Sequence, residues 1–187
     1  MSVKIGSLCD VLMERRLEVW RPVKNLTPQQ KAKAKQIRLF PDRSFLGRLL
    51  RRKIPKALID VDVAEIGLDL VVDGGLNDLC AKGFGTQTAV FNYVAIGTDG
   101  TAPGNTQTAL LAEVMRVSGT YAKDAGVGEC SMDATFDITA TYALQECGLL
   151  NAAAAGTMYC RDTYTTKNVE SGDTVKVYYT PKFQRPA

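Results

Sequence analysis

Ala134-Thr135-Phe136-Asp137-Ile138-Thr139 alternates apolar and polar residues with a period of two, the pattern of a strand that buries one face and wets the other. Val175, Val177 and Tyr179 alternate in the same way against Lys176 and Tyr178, and Ser171-Gly172-Asp173 supplies the turn in front of them. Val90 to Ile96 is rich in β-branched, aromatic and small residues, ends at Gly97 and is followed by the turn chemistry of Thr98-Asp99-Gly100. Short strands punctuated by such turns predict a mainly β chain. Its body, 57–187, is expected to be an antiparallel β-sandwich, Ig-like or jelly-roll-like, with 57–90 as a transition and 91–183 as the sandwich core. Leu110, Val114 and Val117 fit a helix, while Glu113 to Val117 fits a strand, so periodicity leaves that segment open.

Three blocks carry a resemblance. They are Phe91-Asn-Tyr-Val-Ala-Ile-Gly97 with Ala102-Pro103 and Thr108 to Arg116; Gln145-Glu-Cys-Gly-Leu149; and Gly156 to Arg161 closing with Gly172 to Tyr179. Together they resemble β-sandwich virion proteins of tailed bacteriophages, of the collar, neck, tail-fibre and decoration kinds. The resemblance covers roughly the last half of the chain. It implies a structural part of a phage particle, assembled in the host cytoplasm. The expected position is the collar, neck or tail attachment, where the chain oligomerises in a ring. The partners it implies are further copies of the chain and portal, connector, tail or fibre proteins, with no cofactor. Head decoration is the alternative within this class.

The formal charge of +3 conceals an asymmetry. Residues 1–59 carry fifteen Lys and Arg against four Asp and Glu, and the remainder eight against sixteen, so a +11 segment precedes a −8 body. Residues 1–56 read as a basic, mostly helical arm. A first helix is expected from about Ser7 to Trp20, stopping at Arg21-Pro22. Thr27-Pro28-Gln29-Gln30 matches a capping box and opens a second, with Lys31, Lys35 and Arg38 on one stripe. A third is expected from about Asp42 or Ser44 to Lys53, with Phe45, Leu46, Leu49 and Leu50 on one side and Arg48, Arg51, Arg52 and Lys53 on the other. These apolar residues and Trp20 are the candidate anchors of a lacing arm. The basic ones serve solvated faces, docking onto acidic surfaces, or non-specific contact with DNA phosphates, which makes a DNA-binding module the competing function.

In the transition segment, Leu58 to Val63 and Leu68 to Val72 are β-prone, with Val61 and Val63 expected inward. Leu76, Leu79 and Cys80 recur at helical spacing. Histidine is absent, which removes the commonest general base and zinc ligand, and no D-x-D-x-D-G loop is present. Glu113 with Arg116, and Glu146 with Arg161, read as ion pairs between neighbouring strands or subunits rather than as catalytic carboxylates. No enzymatic function is expected. Cysteines 9, 80, 130, 147 and 160 form no C-x-x-C pair; they read either as small buried hydrophobes or as partners in disulfides between subunits. No apolar run reaches the ~18 residues of a membrane span.

Overall fold

The computed structural model describes residues 10–33, 36–41, 53–64, 70–85, 87–123 and 126–184. In chain order the elements are β1 (Asp10–Pro22), α1 (Pro28–Lys33), β2 (Ile37–Pro41), β3 (Lys53–Ala64), β4 (Leu70–Val71), α2 (Asp73–Phe84), β5 (Tyr93–Gly97), β6 (Glu113–Ser118) and β7 (Thr120–Lys123). They continue through β8 (Cys130–Asp137), β9 (Tyr142–Leu150), β10 (Met158–Val169) and β11 (Thr174–Gln184). The strands form a six-stranded sheet in the order β2-β3-β1-β11-β8-β7 and a five-stranded sheet in the order β4-β10-β9-β5-β6. All the pairings are antiparallel.

One core cluster joins the two sheets. Leu17 and Val19 of β1, Ala134 and Phe136 of β8, and Val175, Val177 and Tyr179 of β11 come from the first sheet. Val94 and Ile96 of β5, Leu144, Cys147 and Leu149 of β9, and Cys160 of β10 come from the second. The alternations read at 134–138 and 175–179 are therefore the inner face of the six-stranded sheet. A smaller cluster on the outer face of the other sheet gathers Ala95, Leu150 and Met158 under Val72, which precedes α2, and Leu110 from the segment between β5 and β6. Gly75 permits that cover: a Cβ there would collide with the backbone of Tyr159, whose Cα lies 2.7 Å away. Gly75→Ala is expected to cost about 1–3 kcal/mol through overpacking, read from the urea unfolding midpoint at unchanged slope.

The N-terminal region departs from the helical expectation. Residues 10–22 form a strand, β1, flanked on one side by β11 (Leu17 opposite Val177) and on the other by β3 (Arg16 opposite Val63). The boundary expected between Lys56 and Ala57 falls inside β3. The alternation of Arg15, Leu17 and Val19 against Arg16 and Glu18 was masked because Arg15 faces inward. Its guanidinium donates from Nε to Oδ2 of Asp162 at 2.8 Å, bridging the sheets, and lies 4.9 Å from the centre of the Tyr164 ring. Three further basic side chains are engaged within the chain. Arg21 makes a bidentate pair with Asp173, Nε to Oδ1 at 3.0 Å and Nη2 to Oδ2 at 2.8 Å, which raises the arginine pKa further. Lys56 donates to the Gly172 carbonyl at 2.8 Å, and Lys167 of β10 reaches Asp60 of β3 at 3.2 Å. Arg15 and Arg21 thus dock β1 onto acidic residues of the remainder of the same chain.

The capping box at Thr27 forms as read: Gln30 N–H donates to Thr27 Oγ1 at 3.2 Å and Thr27 N–H to Gln30 Oε1 at 3.0 Å. Its helix is only six residues long, and Arg38 lies on β2 instead of extending it. The open segment near 113–117 is the strand β6. Val61, expected inward, is 39% exposed, whereas Ile59 packs on the core. The helix expected after Asp73 is α2, with Leu79 against the core.

Candidate interaction site

Two features concentrate the unusual chemistry of the surface and its margins. The first is a polar knot on the outer face of the five-stranded sheet. Glu146 of β9 and Arg161 of β10 are both fully buried, with Nε to Oε2 at 2.8 Å. This confirms them as partners on neighbouring strands and shows what else they hold. Glu146 accepts from the N–H groups of Leu111 at 3.1 Å and Ala112 at 2.7 Å. Arg161 Nη1 donates to the Thr101 carbonyl at 2.9 Å and to Gln107 Oε1 at 3.2 Å. Asp99 stands 3.5 Å from Arg161 Nη2, and hydrogen bonds from Thr101 hold its carboxyl below the ordinary carboxylate range. Both charges are spent on backbone and on each other, so the knot shapes the 98–112 segment. Glu113 and Arg116 pair within β6, Nη2 to Oε2 at 2.6 Å, and Arg116 also caps the carbonyls of Ala152 and Ala155.

The second feature is an apolar cleft of about 520 Å³ where the two sheets part, lined by Leu79 of α2, Phe91 before β5, Tyr121 of β7, Met132 of β8, and Pro181 and Phe183 of β11. Lys82 sits over the Phe91 ring, 3.4 Å from its centre. Val90 and Tyr121 on the lining are each 61% exposed. Val127, 96% exposed, immediately precedes Gly128, whose carbonyl accepts from Phe183 N–H at 2.9 Å. Large apolar side chains left in water around a concave apolar wall mark an interaction surface. This cleft escaped sequence reading because its walls come from α2, β7, β8 and β11, elements distant in sequence.

The residues singled out in the basic segment scatter. Trp20 is fully buried and donates from Nε1 to Glu18 Oε2 at 2.9 Å, with Arg38 stacked 5.1 Å from its ring centre. It is thus a packing residue of its own chain and not an exposed anchor. Tyr178 beside Glu18 has its hydroxyl pKa raised, chiefly by burial. Lys31 and Lys53 are exposed. Lys35, Phe45, Leu46, Arg48, Leu49, Leu50, Arg51 and Arg52 lie outside the described residues, as does Cys9. Among the described residues, Cys80, Cys130, Cys147 and Cys160 are not joined to one another by disulfides. Cys147 and Cys160 lie inside the core, out of reach of a neighbouring copy, while Cys80 is exposed. Among the described residues no His, Cys, Asp or Glu cluster has the shape of a metal site, and no helix is long and apolar enough to cross a membrane. No family model, curated protein or solved structure matches this chain.

Proposed function

We propose that this protein is a structural part of a tailed-phage particle, a collar, neck or tail-attachment component that works as a ring of identical copies. The observation that carries this reading is the cleft with its exposed Val90 and Tyr121, an apolar surface that assembly would cover. The two antiparallel sheets and their shared core support it, and the reading takes the fold as a sandwich of the Ig-like or jelly-roll-like kind elaborated by β1, β2 and β3. The partners are further copies and neighbouring portal, connector, tail or fibre proteins. The buried charges hold structure instead of presenting chemistry: Glu146 and Arg161 bind loop backbone, and Arg15 binds Asp162. The competing DNA-binding reading rests on Arg48, Arg51, Arg52 and Lys53, of which Lys53 is exposed and the others lie outside the described residues.

The test is the native mass of the full chain by light scattering at ~50 and ~200 mM salt. The expected result is a species of several copies at both, because apolar burial tolerates salt that abolishes phosphate contacts. A monomer at every concentration and salt overturns the ring.

A further inference from the structure

The cleft and the β2–β3 hairpin stand at opposite ends of the six-stranded sheet. The hairpin closes beyond the pair Pro41 opposite Lys53, and Lys56 of β3 lies level with Pro22 at the end of β1. That level is the start of β11, where Trp20 faces Thr174. Phe183, on the cleft wall, is at the other end of β11. From the Lys56 level to Phe183 runs about eleven residues of strand, roughly 36 Å. The connection from β2 to β3 is therefore tethered, through Pro41 and Lys53, at the end of the six-stranded sheet opposite the cleft.

We propose that the cleft seats residues 45–50 of a second copy of this chain, so that copies join head to tail. The occupant is identified by its sequence and its tether. Phe45, Leu46, Leu49 and Leu50 place four large apolar side chains within six residues, at the spacing with which a helix lays one face into an apolar groove. The cleft is correspondingly apolar, with Leu79, Phe91, Met132 and Phe183 in its walls, and its volume of about 520 Å³ suits several such side chains. Val90, Tyr121 and Val127 extend the apolar surface past the mouth, further than a small ligand covers. Because the donor segment is tethered at the end opposite the acceptor cleft, the contact is heterologous and propagates until rotation closes it into a ring. The inference rests on the ring reading above and adds which surfaces make the ring.

The experiment uses two full-length variants, Leu49→Asp in the donor segment and Val90→Glu with Tyr121→Glu at the cleft mouth. Both cleft positions are exposed, so the cleft variant should keep the far-ultraviolet circular dichroism and melting of the parent, and Leu49→Asp is scored on association only with the same two measurements unchanged. Each alone is expected to self-associate at least about 30-fold more weakly, the loss of a central anchor. An equimolar mixture is expected to yield a species of two chains, since one intact donor still meets one intact cleft. A cleft variant that assembles like the parent overturns the seat and leaves the ring reading standing. A mixture that stays monomeric overturns the head-to-tail pairing. A parent chain that is itself monomeric overturns both, and a small apolar molecule found in the cleft by native mass spectrometry overturns the seat alone.

Discussion

A chain lacking residues 1–22 is expected not to fold. Circular dichroism should show no β signal, and denaturant titration no cooperative transition. β1 has β3 on one side and β11 on the other, so its removal strips two ladders and splits the six-stranded sheet through its middle. It also removes Leu17, Val19 and Trp20, all essentially unexposed, each worth roughly 1.5–3 kcal/mol of burial. The cost grows at Asp162, whose partner Arg15 leaves with the strand, because an uncompensated buried charge costs about 3–5 kcal/mol. Asp173, fully buried, loses its bidentate Arg21. Together these losses exceed most of the 5–15 kcal/mol by which domains are stable. A truncated chain that retains a cooperative transition near the parent's midpoint would show instead that the basic segment is a detachable arm.

The second large effect is expected at Glu146. Replacing it with Ala leaves the Arg161 guanidinium buried without its carboxylate and takes the acceptor from the N–H groups of Leu111 and Ala112. The expected loss is about 3–5 kcal/mol in urea unfolding, together with faster amide exchange at Leu111 and Ala112. Replacing Glu146 and Arg161 together with Leu is expected to recover much of the loss, because no charge is then stranded. A Glu146→Ala protein within about 1 kcal/mol of the parent, with unchanged exchange at both amides, would mean that the 98–112 segment is held by its apolar contacts, Leu110 first among them.

The two outcomes differ in how far the sequence foreshadowed them. Glu146 and Arg161 were legible as partners because they are opposite charges in two blocks read as belonging to the β body. What was not legible was that both are buried and that the carboxylate reaches across to backbone some 35 residues away. β1 was misread for a more basic reason. Arg15 placed a charge where a half-buried strand should show an apolar side chain, and Trp20, on the opposite face, is buried as well, so period-two polarity was lost and Leu8, Val11, Leu12 and Val19 left a helical one. Strand preference depends on what covers each face, and at Glu18 and Trp20 the outer face of β1 is covered as well as the inner.

From sequence alone the chain is determined as mainly β: Phe136, Ile138, Val175 and Val177 alternate against polar neighbours because one face of each strand meets water and the other meets oil, a local demand written residue by residue. The Thr27–Gln30 capping box and the helix after Asp73 are equally local, since their signals lie within one or two turns. Only the tertiary structure decided that the basic segment becomes a central strand, and that the sheets part into an apolar cleft. The partner that makes Arg15 tolerable inside the protein is Asp162, 147 residues along the chain, and no periodicity within β1 encodes a neutralising charge that distance supplies.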